Sequence, residues 1–275
     1  MVAVVTDSAA NLPPDVAAAL GIEVVPMYLK FGEHSYRDGL DLVGEDFYER
    51  LLKDGELAST AAPSPGDFLE AFESAAAGDV LCVTVASSVS FTYQAACMAR
   101  DQSSRNVVVL DSGSASMAEG FVAIEAARAA GRGAGPDEVE ARARDVAGRA
   151  RLFAAINTFE FLRKSGRVGK LQAYAATRLD IKAVFRFQGG DPGPVARPRT
   201  RTRALGRVVE ETLAEIGGRP VHLAAIHAAA EAEARDIMDR VAALSNVVER
   251  YVAPFTPMMG AHTGPGVVGL AFYCD

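Results

Sequence analysis

Short apolar runs rich in β-branched residues alternate with longer amphipathic stretches through the first half of the chain. Residues 2–5 and 80–85 are two such runs, and each is too short for a helix and is bounded by polar or small residues. Strands are predicted at 2–5, 22–29, 80–85 and 107–110, and helices from residue 14 and at 46–52, 67–76, 93–100, 116–130 and 137–150. This alternation predicts a three-layer α/β arrangement around a mainly parallel sheet, in which ligand groups lie at the carboxyl ends of the strands.

The order of elements changes after residue 150. Strands are predicted at 152–156, 181–187, 195–200, 221–226, 247–252 and 267–273, with helices near 159–164 and 171–177 and at 202–216 and 229–244. A turn rich in Gly and Pro is expected at 189–194. We therefore predict two α/β domains, residues 1–150 with the parallel sheet and residues 151–275 with a mixed sheet.

Composition and charge exclude several classes of protein. The chain of 275 residues is 49% hydrophobic and 23% charged, which is typical of a globular protein and not of a disordered or fibrous one. Lys and Arg number 28 against 35 Asp and Glu, and the net charge of −7 argues against general nucleic-acid binding. No apolar run approaches the ~18 residues of a membrane span, and the first residues lack the pattern of a secretory signal. A cytoplasmic location is expected.

Motifs of common enzyme classes are missing. GxxxxGK[ST], HExxH and GxSxG are absent, and the glycines at 131, 133 and 135 do not complete GxGxxG. Asp7 follows the first strand as a phosphatase nucleophile would, but Ala9 stands where a second acid is needed. Cys82, Cys97 and Cys274 have neither metal-ligand nor disulfide spacing. The sequence thus predicts no catalytic residue, no metal site and no cofactor.

Four loops rich in hydroxyl side chains follow predicted strands or precede predicted helices. They lie at 6–8, 60–64, 87–94 and 111–117. Taken singly, each Ser or Thr is explained by helix capping. Taken together, hydroxyls and helix N-termini favour a site for a small anion or a polar head group.

Short motifs mark the chain from end to end. They are Thr6-Asp-Ser8, Val25-Pro26, Tyr36-Arg-Asp38, Phe47-Tyr48, Thr60 with Pro63-Ser64, Ser87 and Ser90 with Thr92-Tyr-Gln94, Asp111-Ser112, Ser165-Gly-Arg167, Ile181-Lys182, Arg199-Thr-Arg201 and Gly260-Ala-His-Thr-Gly-Pro-Gly266. In this order over one chain, the motifs resemble those of the DegV family, fatty-acid-binding proteins that serve as the B component of bacterial fatty acid kinase.

The resemblance implies a two-domain, DegV-like α/β fold with a long-chain fatty acid between the domains as its ligand. It implies that Thr60 and Ser90 bind the carboxylate and that His262 lies nearby. The supporting head-group residues it implies are Ser64, Thr92, Ser112, Thr263 and Gly264. A separate fatty acid kinase subunit then phosphorylates the carboxylate, so the protein itself is not catalytic. Hydroxyl donors suit this role because they do not form the bidentate pair that Arg makes, and they leave a carboxylate oxygen available.

Two departures from the family pattern lie close to the implied head group. Phe91 replaces a glycine, and Ala61 and Ala62 replace two polar residues. These changes are expected to alter the acyl-chain preference. Apolar candidates for the wall of the acyl tunnel are Met27, Phe91, Phe121, Phe159, Phe161, Leu162, Met258 and Met259.

One basic segment stands out on the acidic chain. Arg197, Arg199, Arg201 and Arg203 alternate, so in an extended segment all four lie on one face and form a positive ridge. One interpretation is a solvated edge strand protected by its charges. The other is a docking surface for the kinase, its ATP phosphates or, transiently, an anionic membrane; Arg199 matches a family arginine linked to the His262 region.

Two other functions remain open at this stage. An acyl hydrolase or transferase would use Ser90 as nucleophile and His262 as base, although no third member of a catalytic triad is evident. A lipid transport or sensing module would bind the same ligand without a kinase.

Overall fold

The computed structural model describes residues 1–53, 58–167 and 182–275, in which strands and helices alternate along the chain. The strands are β1 (Val2–Asp7), β2 (Ile22–Val25), β3 (Tyr28–Phe31), β4 (His34–Arg37), β5 (Ser59–Ala61), β6 (Asp79–Thr84), β7 (Asn106–Asp111), β8 (Arg151–Ala155), β9 (Val184–Gln188), β10 (Asp191–Ala196), β11 (Val221–His227), β12 (Val247–Pro254) and β13 (Val268–Cys274). The helices are α1 (Pro14–Leu20), α2 (Gly44–Lys53), α3 (Pro65–Ser74), α4 (Thr92–Arg100), α5 (Met117–Gly131), α6 (Pro136–Arg149), α7 (Glu160–Ser165), α8 (Arg201–Ile216), α9 (Glu231–Ala242) and α10 (Pro257–Thr263).

The first sheet is parallel, in the order β2-β1-β6-β7. On one face, Phe68 and Phe72 of α3 pack with the inward residues of the strands and with the alanines of α4. Helix α5 covers the other face. The predicted three-layer arrangement around a parallel sheet is therefore confirmed.

The second sheet is mixed, in the order β10-β9-β8-β13-β11-β12, and only the β11–β12 ladder among those described in it is parallel. Helices α8 and α9 pack on one of its faces. The other face packs on α5, which therefore lies between the two sheets. This position explains why the α5 sequence is apolar nearly all round, since a helix of that kind must be buried on every side.

A third, antiparallel sheet has the order β4-β3-β5. The sequence predicted one strand over 22–29, and this prediction is wrong because the chain breaks at Pro26 into β2 and β3, which belong to different sheets. Proline has no N–H to continue a ladder. The sequence did not predict β4 or β5, and β5 carries Thr60.

Three further predictions, a strand at 195–200, a helix at 171–177 and a domain boundary after residue 150, compare with the structure as follows. The strand predicted at 195–200 is wrong, since β10 ends at Ala196 and α8 begins at Arg201. The helix predicted at 171–177 lies outside the described residues. The boundary at 150/151 stays a prediction, because the largest cluster of buried residues draws on both segments. No helix in the described parts of the chain is long and apolar enough to cross a membrane.

Candidate functional site

A cavity of about 280 Å³ lies between the carboxyl end of the parallel sheet and one face of the mixed sheet. Its wall is mostly apolar and includes Met27, Val85, Leu152, Phe185, Phe187 and Met258. Its polar lining residues are Thr60, Ser90, Ser116, Arg167, His262 and Thr263, and Thr60, Ser90, Arg167, His262 and Thr263 are called the polar region below. A cavity with apolar walls and one polar region fits a long apolar molecule with a small polar head.

The cavity agrees only in part with the residues predicted for an acyl tunnel. Five of the predicted residues line it: Met27, Phe91, Leu162, Met258 and Met259. Phe121 instead packs in the core against Tyr251 and Tyr273. Phe159 and Phe161 are partly buried against the core outside the lining.

The three residues predicted to bind a carboxylate are brought together by three different elements. Thr60 lies on the edge strand β5, Ser90 in the loop between β6 and α4, and His262 in the last turn of α10. The distance from Thr60 Oγ1 to His262 Nε2 is 3.0 Å. Ser90 Oγ lies 2.7 Å from Thr92 Oγ1, and it also accepts a hydrogen bond from the backbone N–H of Thr92. Thr60 and Ser90 thus both contribute a hydroxyl-bearing side chain to the cavity lining, and their role in ligand binding stays a prediction.

His262 is held in its neutral form. Burial lowers the pKa of its imidazole, the nearby Arg167 guanidinium adds to this effect, and together they bring the pKa to about 4. Its Nδ1 atom is buried and has no partner within the described residues. A neutral imidazole carries one N–H, so Nε2–H and Nδ1–H are the two possible tautomers.

The tautomer of His262 decides what Thr60 can do. With the proton on Nε2, the ring donates to Thr60 Oγ1, and the Thr60 hydroxyl proton is free to donate to a ligand. With the proton on Nδ1, Nε2 would accept that hydroxyl proton, and a buried N–H would be left without an acceptor. Nδ1 lacks a partner among the described residues in both arrangements, but a buried N–H without an acceptor is rarer in proteins than a buried acceptor without a donor, so Nε2–H is the expected tautomer.

This expectation can be tested by NMR of the His262 ring in the ligand-free protein. The ring nitrogens should show the Nε2–H form at neutral pH, with a titration midpoint near 4 instead of the ordinary 6.5. Because the folded pKa lies below the unfolded one, the contribution of His262 to stability is present above about pH 6.5 and is lost as the pH falls toward 4. A midpoint at or above 6.5 would contradict the buried, neutral state.

Arg167 belongs to the polar region, although its sequence context did not predict a role in the site. Gly166 ends α7 with a positive φ of 73°, and Arg167 follows it directly. Its guanidinium donates to the carbonyl oxygens of Ser165 (2.6 Å) and Val89 (3.5 Å). The side chain is exposed, so it places a positive charge at the rim of the cavity. Its place in the motif Ser165-Gly-Arg167 was the available signal.

Glycines in the segment after Thr256 allow close packing of α10. A Cβ atom on Gly260 would meet Tyr48 Oη at 2.5 Å, so only glycine lets α10 approach α2 so closely. A Cβ atom on Gly264 would overlap the Phe161 ring. Gly264 thus packs against α7, while the neighbouring Thr263 lines the cavity and donates its hydroxyl to the Met259 carbonyl.

Of the five predicted supporting residues, Thr263 lines the cavity, and Ser64, Thr92, Ser112 and Gly264 do not. Ser64 caps α3 in a reciprocal capping box with Asp67. Ser112 is buried, and its hydroxyl bonds to the backbone of Ser114. The structure does not bring either hydroxyl to the polar region, whereas Thr92 reaches it through Ser90.

The loop Thr6-Asp-Ser8 fixes the end of β1. Thr6 donates to Glu119, Asp7 accepts from the backbone N–H groups of Ala9 and Val85, and Ser8 donates to Asp38. Burial raises the pKa of Asp7 to about 7 and that of Glu119 well above its ordinary value. These three side chains connect β1 to other elements of the fold, so this loop supports the site without lining it.

The prediction that four alternating arginines lie on one face of an extended segment is wrong, because the last two lie in a helix. Thr200 accepts a hydrogen bond from the Arg203 N–H and caps α8, so Arg201 and Arg203 lie in a helix where successive side chains point about 100° apart. Arg201 pairs with Glu233 at 2.6 Å and also donates to Asn157. Arg199 and Arg203 are exposed. A docking role for Arg199, Arg201 and Arg203 stays a prediction.

Known proteins resemble the chain over its full length. The family model described as "Uncharacterised protein, DegV family" matches residues 1–275. A DegV domain-containing protein of Streptomyces coelicolor is 31% identical over 274 residues, which cover 98% of this chain and 97% of that protein.

Solved structures agree with this result. A fatty-acid-binding DegV family protein from Thermus thermophilus superposes with a TM-score of 0.94 and 27% identity, over 100% of this chain and 99% of that one. DegV, a fatty acid binding protein from Bacillus subtilis, gives a TM-score of 0.90 and 28% identity over 100% and 99% of the two chains. The chain therefore belongs to the DegV family.

Proposed function

We propose that this protein binds a long-chain fatty acid in the cavity and presents its carboxylate to a separate kinase subunit. The observation that carries the proposal is the pairing of apolar walls with one polar region that holds Thr60, Ser90 and His262. The related proteins from Thermus thermophilus and Bacillus subtilis, both described as fatty acid binding, support the ligand class.

The acyl chain supplies most of the binding free energy. Burial of a methylene stabilises a complex by about 0.8 kcal/mol, so a chain with roughly ten buried methylenes gains on the order of 8 kcal/mol before the cost of ordering is subtracted. The residues that would contact the chain include Leu152 of β8 and Phe185 and Phe187 of β9 in the mixed sheet, and Val85, which directly follows β6 of the parallel sheet.

The polar region then fixes the orientation of the ligand. His262 Nε2–H donates to Thr60, and Thr60 donates its proton to one carboxylate oxygen. Thr92 donates to Ser90, and Ser90 donates to the carboxylate in the same way. Arg167 offsets the negative charge from the rim of the cavity without any need for a buried ion pair.

Presentation to a kinase requires that the carboxylate be reachable from outside. Phe91, next to Ser90, is 79% exposed, and Arg167 is exposed as well, so the polar region opens to the surface. In the transfer step, a carboxylate oxygen forms a bond to the γ-phosphorus of ATP held by the kinase. The bond from that phosphorus to the β–γ bridging oxygen breaks, and ADP leaves. The product on this protein is an acyl phosphate.

Acyl phosphate formation with a matched kinase subunit and ATP tests this step, with hydroxylamine as the trapping reagent. Arg199→Gln should reduce product formation several-fold and leave fatty-acid affinity nearly unchanged, because Arg199 is exposed and does not line the cavity. Arg201→Gln should also lower the melting temperature, because it removes the pairs with Glu233 and Asn157. Equal loss of affinity and product in Arg199→Gln would contradict the docking role. Binding without product in the unsubstituted protein would favour transport or sensing.

A hydrolase would need a different hydrogen-bond pattern. A serine nucleophile is activated by a base within hydrogen-bond reach, but His262 Nε2 bonds to Thr60, and Ser90 bonds to Thr92. Incubation with acyl esters is expected to give no turnover and no covalent adduct on Ser90.

A further inference from the structure

Asp38 is a buried carboxylate outside the cavity lining, in the turn that follows β4. Asp38 is only 2% exposed, and it is not among the residues that line the cavity. Burial of a carboxylate is costly unless hydrogen bonds compensate for the lost water. The hydrogen-bond partners of Asp38 therefore indicate what the buried carboxylate does in the fold.

Asp38 contacts both segments that supply methionines to the cavity. Its Oδ1 atom accepts the backbone N–H of Met258 at 2.9 Å, and its Oδ2 atom accepts the Ser8 hydroxyl at 2.7 Å. The Asp38 backbone N–H donates to the Met27 carbonyl, and Ser8 Oγ accepts the Met27 N–H. Met27 and Met258 both line the cavity.

The bond to Met258 takes the place of a missing helix cap. Thr256 is the N-cap residue of α10, but its side chain makes no capping hydrogen bond. Pro257 has no N–H, so Met258 offers the first amide donor of the helix. An N-cap side chain normally accepts from the second or third helical N–H. Asp38 does this from 220 residues earlier in the chain.

This cap lies one turn before His262. In an α-helix the N–H of His262 pairs with the carbonyl of Met258, so Asp38, Met258 and His262 are connected through one turn of backbone. Packing of Gly260 on Tyr48 and of Gly264 on Phe161 restrains the middle and the end of α10. The hydrogen bond from Asp38 restrains its beginning.

We propose that Asp38 is a positioning residue, which holds α10 where His262 Nε2 meets Thr60 and thereby sets the recognition of the ligand's carboxylate. The inference rests on the proposed fatty-acid-binding function. It concerns the head group, because Asp38 does not line the cavity and its bond to Met258 acts on the helix that carries His262.

The test compares two ligands that share a chain and differ in the head, palmitate and 1-hexadecanol. Asp38→Ala should lower the affinity for palmitate about tenfold and change that for the alcohol by less than about twofold. Asp38→Asn should keep most of the palmitate affinity, because its amide oxygen can still accept the Met258 N–H. If Asp38→Ala does not fold, Asp38→Thr carries the same expectation, since it fills similar space but its hydroxyl is too short to reach Met258.

The His262 ring gives a second readout that needs no ligand. Its NMR signals should change in Asp38→Ala and stay close to those of the parent in Asp38→Asn. Ser8→Ala is the matched control, because it removes the hydroxyl that bonds to Asp38 and accepts the Met27 N–H, and it leaves the bond from Met258 to Asp38. Ser8→Ala should lower the melting temperature without changing the ratio of palmitate to alcohol affinity.

The experiments distinguish failure of the positioning role of Asp38 from failure of the proposed fatty-acid binding. If the parent binds palmitate but Asp38→Ala changes neither the affinity ratio nor the His262 signals, Asp38 is a structural support only and the inference is overturned. If the parent binds neither ligand, the proposed function fails, and the His262 signals still decide whether Asp38 positions the ring.

Discussion

Gly264→Ala should destabilise the protein by about 3–5 kcal/mol, because it combines a strained backbone with a steric overlap. Gly264 has φ 74° and ψ 174°, a conformation that is essentially restricted to glycine and costs other residues roughly 1–3 kcal/mol. The new Cβ would also overlap the Phe161 ring, and overpacking of this kind costs about 1–3 kcal/mol more. Thermal unfolding should show a fall of about 10 °C in the melting temperature.

Two control variants separate the contributions. Gly133 also has a positive φ, 87°, and a Cβ atom added there would meet no neighbouring group within 4 Å, so Gly133→Ala should show the cost of a positive φ without a steric overlap. In a Phe161→Ala background, Gly264→Ala should cost less stability than it does in the parent, because the overlap with the ring is gone. Equal melting temperatures for Gly264→Ala and Gly133→Ala would contradict a role for the contact with Phe161.

Loss of both hydroxyls at the polar region should weaken fatty-acid binding by about 100-fold. Thr60→Val and Ser90→Ala each remove a donor to a charged acceptor, at about 1–2 kcal/mol per hydrogen bond, and the two are expected to act together. Titration with a fatty acid should show this loss, whereas a fatty alcohol of the same length should lose less.

The Thr60 position offers a conservative control. Thr60→Val leaves His262 Nε2–H without its acceptor, so some stability should be lost as well. Thr60→Ser keeps the hydroxyl and should retain most of the affinity. Unchanged carboxylate affinity in the double variant Thr60→Val, Ser90→Ala would place the head group elsewhere.

Parts of the fold with a strong hydrophobic period could be predicted from the sequence. The runs that become β1 and β6 and the apolar stretch of α5 are of this kind, because each is buried on more than one side. The sheet formed by β3, β4 and β5 could not be predicted, since its strands are three or four residues long and β4 is mostly exposed. The prediction of an extended segment through the arginines at 197–203 was wrong for a related reason. This segment has no apolar period, and Thr200 caps a helix that begins at Arg201.

The candidate site was also predicted only in part. The resemblance to a known family pointed to Thr60, Ser90 and His262, but neither it nor the sequence pattern predicted that β8 and β9 form part of the cavity wall. Their signal was present: Leu152 and Ala154, and likewise Phe185 and Phe187, are two residues apart and face the cavity. Phe153 and Val184 face the opposite core. The contact of Asp38 with Met258 spans 220 residues, and no local pattern announces it.

Mass spectrometry of small molecules released from the purified protein by denaturation tests the proposed function most directly. An apolar cavity gains packing contacts when an acyl chain fills it, so we expect the ligand to dissociate slowly and to remain bound through purification. The expected result is a long-chain fatty acid in amounts close to one per protein molecule. Repeated preparations that release no fatty acid, even after incubation with an excess of it, would contradict the proposal.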